Sequence, residues 1–183
     1  RTSRLANALL GLGVRKEDKV TIMFRNCPEF FESNYAIQKI GAIPVPMNYR
    51  FTPREIEYQT NHSDSVAFIL EDLWLDVVKE ARPNLKTVRH FICSGEACPE
   101  DMVSYELLMK KYPPSVSDIE TGDDDVCVII YTGGTTGYPK GVMLTYGGHK
   151  RLNEYLNLAL LQRLQEIKLT PELRDKIGLL GIL

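Results

Sequence analysis

Apolar residues recur along the chain with two periods, a strand period of two residues and a helix period of 3.6 residues. Short β-branched or aromatic runs predict strands over residues 19–24, 65–70, 88–93 and 126–131. Between them, helical spacing predicts helices over residues 28–40, 53–61, 72–81 and 101–111, after a first helix that carries Leu5, Leu9 and Leu12. This alternation predicts an α/β layered domain with a largely parallel sheet flanked by helices.

Two helix starts carry capping signals. Asn26 is predicted to cap the helix that has Pro28 in its first turn. Thr52, followed by Pro53 and Glu55, predicts a capping box. Four apolar side chains of the Asn26-capped helix are expected to pack in the core: Phe30, Phe31, Tyr35 and Ile37.

The last part of the chain has a different pattern. Residues 150–168 predict a helix whose apolar face is wider than one stripe, and residues 170–183 predict a short helix with an apolar tail. A face that broad is expected to be covered by more protein than this chain supplies. We therefore divide the chain into an α/β region, residues 1–145, and a helical segment, residues 146–183.

One stretch carries candidate chemistry. Residues 131–142 read YTGGTTGYPKGV, between the strand 126–131 and a second apolar run at 142–144. Glycines let backbone N–H groups converge on an anion, while threonine hydroxyls donate and a lysine adds positive charge. These parts suit a polyphosphate at a sheet edge or tip, and the candidate phosphate-binding residues are Thr132, Gly133, Gly134, Thr135, Thr136, Gly137 and Lys140. The alternative is an inert surface loop.

Two well-known phosphate motifs do not fit this stretch. Pro139 stands where a Walker loop needs its second glycine, and Gly141 replaces the hydroxyl residue that should follow the lysine. The GxGxxG dinucleotide fingerprint is also absent from the stretch.

The run TGGTTGYPKG instead resembles the signature phosphate loop of the AMP-forming adenylate synthetases. That superfamily includes acyl-CoA synthetases, luciferases and peptide-synthetase adenylation domains. The similarity covers about residues 1–145 in family order and includes the segments 26–30, 41–48, 123–126 and 141–145. The resemblance implies that the α/β region is part of a large N-terminal domain. It also implies that ATP with Mg²⁺, a carboxylic acid and coenzyme A are partners of the parent protein.

For the parent, the resemblance implies acyl-adenylate formation followed by thioester formation, with fatty-acid metabolism as the expected setting. The family's later magnesium glutamate, ribose-binding aspartate, hinge and catalytic lysine do not occur in this chain. We therefore expect the N-terminal fragment of an acid–CoA ligase, with no catalytic residue and no metal ligand of its own. The alternative is a natural short form that acts as a non-catalytic nucleotide-binding or protein-interaction module.

Composition and charge further limit which functions and locations the sequence predicts. The formal net charge of −2 offers no basic footprint for nucleic acid, and no apolar run approaches the ~20 residues of a membrane span. The chain begins at Arg1 rather than at methionine and has no apolar leader, so we expect a processed or excised piece of a cytoplasmic protein. Four cysteines without CxxC or zinc spacing are expected to be reduced and mostly buried: Cys27, Cys93, Cys98 and Cys127.

Three further features receive structural interpretations. The run Asp123–Asp125 lacks the alternating spacing of a calcium loop, so we expect a solvated entry to the next strand. His62 lies at the end of a predicted helix, where a cation is favoured by the helix dipole. Trp74 is expected to make a core or lid contact.

Overall fold

The chain was analysed as a computed structural model that describes residues 1–115, 119–133 and 138–166. In chain order the regular elements of these residues are α1 (Thr2–Gly11), β1 (Lys19–Met23), α2 (Pro28–Lys39), β2 (Ile43–Pro46), α3 (Pro53–His62), β3 (Ser65–Glu71), α4 (Leu75–Ala81), β4 (His90–Ser94), β5 (Val103–Ser104), α5 (Tyr105–Lys111), β6 (Val126–Thr132), β7 (Lys140–Thr145) and α6 (Tyr146–Glu166). Short 3₁₀ turns at Asp72–Trp74 and Arg82–Asn84 flank α4.

Strands β1 to β5 form one parallel sheet in the order β2-β1-β3-β4-β5. Side chains on the two faces of this sheet enter separate apolar clusters. One cluster joins Val20 and Ile22 to α1, α2 and α5, and the other joins Met23 and Phe68 to α3 and α4. Because both faces are covered by helices, the strands are apolar on both sides. The predicted α/β layered fold is confirmed.

Strands β6 and β7 form a separate two-stranded antiparallel sheet. Ile129 of β6 packs against Ile43 and Val45 of the edge strand β2, with Val126 and Tyr131 beside them. Both strands were predicted from their apolar runs, but their pairing as a hairpin outside the main sheet was not. Residues 133–139 link the two strands of this hairpin in sequence.

The predicted helix starts had different outcomes. The capping box at Thr52 is confirmed, since the Thr52 hydroxyl accepts from Glu55 N–H and the Glu55 carboxylate accepts from Thr52 N–H. The Asn26 cap is wrong, because Cys27 occupies the N-cap position of α2 in an extended conformation, without a side-chain cap. The helix predicted from residue 101 begins only at Tyr105, because Val103–Ser104 pairs with β4.

The core assignment of α2 is partly wrong. Ile37 is buried and Phe30 packs against the same cluster, but Phe31 and Tyr35 are each 56% exposed. The side of α2 that faces the sheet is filled by Ser33, Ala36 and Ile37. Phe31 and Tyr35 therefore lie on the opposite side of α2.

The expected reduced state of all four cysteines is wrong for two of them. Cys93 at the end of β4 is disulfide-bonded to Cys98, with their Cα atoms 5.6 Å apart. Gly95 adopts a φ of +131°, which a glycine tolerates and which turns the chain back after β4. Cys27 and Cys127 are free thiols.

The acidic run before β6 holds the start of α6. Asp125 forms an ion pair with Lys16 at 2.8 Å and accepts from Gly122 N–H, and these two contacts lower the pKa of its carboxyl. The backbone carbonyls of Asp123 and Asp125 accept from the N–H groups of Gly147 and Tyr146. Within residues 1–115, 119–133 and 138–166, no three His, Cys, Asp or Glu side chains converge as a metal site.

Helix α6 leaves much apolar surface uncovered. Its exposed large side chains are Leu152, Tyr155, Leu156, Leu158 and Leu160.

The second short helix predicted after residue 170 lies outside the described residues. None of the described helices is both long and apolar enough to cross a membrane.

Trp74 stacks on Tyr49 with ring centroids 5.1 Å apart, in line with the predicted packing contact.

Candidate functional site

The loop end of the β6–β7 hairpin brings two of the predicted phosphate-binding residues together. Thr132 is the last residue of β6, Lys140 is the first of β7, and the two are partners in the antiparallel register. Directly opposed residues of an antiparallel pair carry their side chains on the same face. Both side chains are exposed, so a hydroxyl donor and an ammonium group are available to one ligand.

The residues between them are described only in part. Gly133 is exposed, and a Cβ at this position would have no atom within 4 Å. Its backbone therefore borders open space, as a ligand-binding segment requires. Four of the predicted residues, Gly134, Thr135, Thr136 and Gly137, lie outside the described residues.

The chain that follows the loop is attached to α3. The hydroxyl of Tyr58 donates to the carbonyl oxygen of Pro139 at 2.9 Å. The ring of Tyr58 also stacks on Tyr138, with centroids 4.9 Å apart and planes 28° apart. The stack leaves Tyr138 76% exposed, so this side chain lies on the surface of α3.

The chain that precedes the loop is attached to the same helix. Nδ1 of His62 lies 2.7 Å from the hydroxyl oxygen of Tyr131, and the two rings meet edge to face at 5.7 Å. Burial raises the pKa of Tyr131 to about 12, so its hydroxyl keeps its proton at neutral pH. The predicted helix ends at about residue 61, one position before His62, whereas in the structure His62 is the last residue of α3. Its contact with Tyr131 was not foreseen.

Gly141 sets the close packing at the base of the hairpin. A Cβ there would lie 2.9 Å from Cγ2 of Ile129 and 3.2 Å from Cζ of Tyr131. The absence of a side chain at this position therefore lets the Tyr131 ring lie against β7. This packing role of Gly141 was not predicted from the sequence.

In the described part of the chain, open clefts adjoin the hairpin and its loop. An open cleft of about 670 Å³ runs along α3 beside the loop and is lined by Arg54, Glu57, Tyr58, Asn61, His62 and Tyr138. A second cleft of about 530 Å³ lies between α2 and α6, and Phe31, Tyr35, Cys127 and His149 are among its lining residues. The exposed aromatic side chains of α2 thus border a cavity instead of the core.

Comparison with known proteins identifies the family. The sequence model of the AMP-binding enzyme family matches residues 1–176, so this chain belongs to that family. It is 37% identical over 148 residues to the 3-oxocholest-4-en-26-oate–CoA ligase of Rhodococcus rhodochrous, and this alignment covers 78% of this chain and 26% of the relative. It is 32% identical over 146 residues to the long-chain-fatty-acid–CoA ligase of Thermus thermophilus, covering 80% and 26%.

A solved structure supports the same relationship. The crystal structure of the anthranilate CoA ligase AuaEII in complex with anthranoyl-AMP superimposes with a TM-score of 0.77 and 30% identity, over 79% of this chain and 28% of the other. The chain thus spans about a quarter of the length of the curated relatives that it matches.

Proposed function

We propose that this chain is the N-terminal part of an AMP-forming carboxylic acid–CoA ligase and supplies its ATP phosphate-binding loop. The observation that carries the proposal is the cross-strand pair of Thr132 and Lys140 at the loop end of the hairpin. The relatives to which the chain is similar are CoA ligases, which supports this assignment. ATP, a carboxylic acid and coenzyme A are accordingly the proposed partners of the whole protein.

The proposed reaction has two steps. The substrate carboxylate attacks the α-phosphorus of ATP, the bond to the bridging oxygen breaks, and pyrophosphate leaves with that electron pair. The thiolate of coenzyme A then attacks the acyl carbon of the acyl-adenylate, and AMP leaves to give the thioester. Adenylation is needed because AMP is a far better leaving group than the oxygen of a free carboxylate.

The loop would hold the β- and γ-phosphates during the first step. In this assignment Lys140 neutralises charge that builds on pyrophosphate, while Thr132, Thr135 and Thr136 donate through their hydroxyls. The glycines at 133, 134 and 137 would donate through backbone N–H groups. Mg²⁺ would accompany ATP as a partner of the whole protein. This is catalysis by positioning and electrostatic stabilisation.

The test uses the full-length protein that contains this segment, assayed for carboxylate-dependent exchange of pyrophosphate into ATP. Loss of one preorganised donor or cation at such a site typically slows the reaction by on the order of 10²–10³-fold. We expect that loss for Lys140→Ala and a smaller loss for Thr132→Val. Lys110→Ala is the matched control, because Lys110 is an exposed lysine of α5 and should leave exchange within about twofold of wild type.

Two results would contradict the proposal. Near-normal exchange in Lys140→Ala would remove Lys140 from the phosphate site. Absence of exchange in the wild-type protein with fatty, aromatic and sterol-derived carboxylates would contradict the ligase assignment itself. The same panel would test the expected setting in fatty-acid metabolism. A cytoplasmic location stays a prediction, which subcellular fractionation of the source cells would check.

A second candidate function is a natural short form that binds a nucleotide or a protein partner without chemistry. The exposed apolar face of α6 favours it, since side chains such as Tyr155 at 68% and Leu158 at 60% exposure are typical of binding surfaces. The intact mass of the natural polypeptide separates the two candidates. A mass near 20.8 kDa would support the short form, and a much larger mass would support the ligase.

A further inference from the structure

Two side chains one turn apart on α3 contact the two chain segments that flank the phosphate loop. Tyr58 donates to the carbonyl oxygen of Pro139, after the loop, and His62 contacts the hydroxyl of Tyr131, before it. Residues i and i+4 lie on one face of a helix, and the rings of Tyr58 and His62 are 5.3 Å apart. A single face of one helix therefore holds both ends of the loop.

Each contact lies one residue away from a candidate phosphate-binding side chain. Tyr131 directly precedes Thr132, and Pro139 directly precedes Lys140. The bond from Tyr58 ends on the peptide group that joins Pro139 to Lys140, so it orients the backbone from which the Lys140 side chain departs. The bond to Tyr131 likewise restrains the strand end that carries the Thr132 hydroxyl.

The helix that makes these contacts is itself firmly attached to the main sheet. Its N-terminus has the complete capping box, and Ile56 is fully buried in the apolar cluster below it. Gln59 Nε2 donates to the carbonyl of Pro46 at 3.0 Å, and Asn61 Nδ2 donates to the carbonyl of Asn84 at 2.9 Å. Restraints on α3 are thereby passed on to the loop.

We propose that Tyr58 and His62 are positioning residues that hold Thr132 and Lys140, at the two ends of the phosphate loop, in place for ATP. The inference rests on the proposed function of the loop. A loop held by both ends loses less freedom when the ligand binds, and small displacements of catalytic groups have large effects on rate. The contacts should therefore act on ATP binding and adenylation, and not on recognition of the carboxylic acid.

The first experiment removes single hydroxyl groups. Tyr58→Phe keeps the ring that stacks on Tyr138 and removes only the bond to Pro139, and Tyr131→Phe removes the bond to His62. Each variant should lower kcat/KM for ATP by about five- to tenfold, the effect of one hydrogen bond, with KM for the carboxylate unchanged. Tyr105→Phe is the matched control, because it removes a buried tyrosine's 2.9 Å bond to Glu32 on α2 and should leave both constants unchanged.

The second experiment tests whether His62 acts through Tyr131. His62→Ala should lower kcat/KM for ATP as much as Tyr131→Phe, and the double variant should be no worse than either single variant. His62→Asn, which can place a side-chain amide near the position of Nδ1, should recover part of the loss. Additive losses in the double variant would contradict a shared contact.

A third measurement does not depend on catalysis. Amide hydrogen exchange in residues 126–133 and 138–145 of the full-length protein should quicken in Tyr58→Phe and His62→Ala and stay unchanged in Tyr105→Phe. Unchanged exchange in the two variants would overturn the inference. Quicker exchange with unchanged constants for ATP would show a merely structural contact, and this also overturns it.

The failure of this inference can be told apart from failure of the proposed function. If Lys140→Ala abolishes pyrophosphate exchange while Tyr58→Phe and Tyr131→Phe behave as wild type, the loop assignment stands and the positioning role is wrong. If Lys140→Ala has no effect, the loop assignment is wrong, and with it the positioning of phosphate-binding groups by α3.

Discussion

The capping box of α3 offers a sharp test, because it is a local feature with a consequence at the loop. In Thr52→Ala, the N–H of Glu55 loses its acceptor, the Thr52 hydroxyl oxygen 3.4 Å away, and the Glu55 carboxylate loses a 2.8 Å bond from that hydroxyl. The bond from the backbone N–H of residue 52 to Glu55 does not need the threonine side chain. The substitution therefore removes half of the box.

The expected magnitude follows from exposure. Thr52 and Glu55 are both exposed, so water can replace the lost bonds and no buried group is left without a partner. Replacing an N-cap threonine by alanine under these conditions costs about 1 kcal/mol of helix stability. A loss of ~1 kcal/mol corresponds to a roughly fivefold larger population of locally opened α3, and hence to roughly fivefold faster amide exchange.

Amide hydrogen exchange of residues 57–62 in the full-length protein measures this opening directly. Thr52→Ser is the matched control, since serine keeps the hydroxyl and should leave the rates unchanged. Exchange in α5, residues 105–111, should be the same in all three proteins. Unchanged protection of α3 in Thr52→Ala would refute the reasoning, as would an equal loss of protection in Thr52→Ser.

Three further predictions concern the same framework. The backbone N–H of Thr52, and then its hydroxyl, lower the pKa of Glu55 below its ordinary 4.5. The resulting stabilisation of α3 is present above pH 4.5 and is lost as the pH falls through the lowered pKa. At pH 7, α3 should therefore be less protected from amide exchange in Glu55→Gln than in wild type, and this difference should disappear in acid. Gly141→Ala should destabilise the β6–β7 hairpin by ~1–3 kcal/mol through overpacking against Ile129, measured as faster amide exchange in residues 126–132, whereas Gly133→Ala should not. Ile22→Ala, in the fully buried centre of the main sheet, should lower the free energy of unfolding by about 2–5 kcal/mol in urea titrations, while the exposed Val142→Ala should change it little.

Local features of the fold were predictable from sequence because their causes are local. The capping box needs only Thr52, Pro53 and Glu55, which are adjacent in the chain. The strands of the main sheet are buried on both faces, so they appear as nearly continuous apolar runs. The short strand Val103–Ser104 was missed because two residues cannot display a period, and its existence depends on pairing with β4.

Contacts between distant or turning segments explain the errors on α2 and on the cysteines. Periodicity marks Phe31 and Tyr35 as apolar but does not say what lies opposite them, and in the structure they border a cleft. The cysteine prediction used the usual redox state of a cell compartment, whereas the bond between Cys93 and Cys98 depends on the turn at Gly95.

The candidate site likewise combines local features that the sequence predicts with long-range contacts that it does not. The residue types of the stretch 131–142 predict phosphate binding, which stays a prediction, while the family to which that stretch pointed is confirmed. The attachment of this stretch was not predictable, because Tyr58 and Pro139 are 81 positions apart and His62 and Tyr131 are 69 apart. The regular spacing of Tyr58 and His62 on a capped helix was visible, but nothing in the sequence indicated their partners.

The position of the hairpin along the chain has a consequence for protein synthesis. All five strands of the main sheet and helix α3 precede residue 112, whereas the hairpin begins at Val126. Because a nascent chain emerges from the ribosome N-terminus first, the ring of Tyr58 and the imidazole of His62 leave the exit tunnel before the segment that they contact. The sheet and α3 can therefore fold first, and the hairpin can pack against them as it emerges.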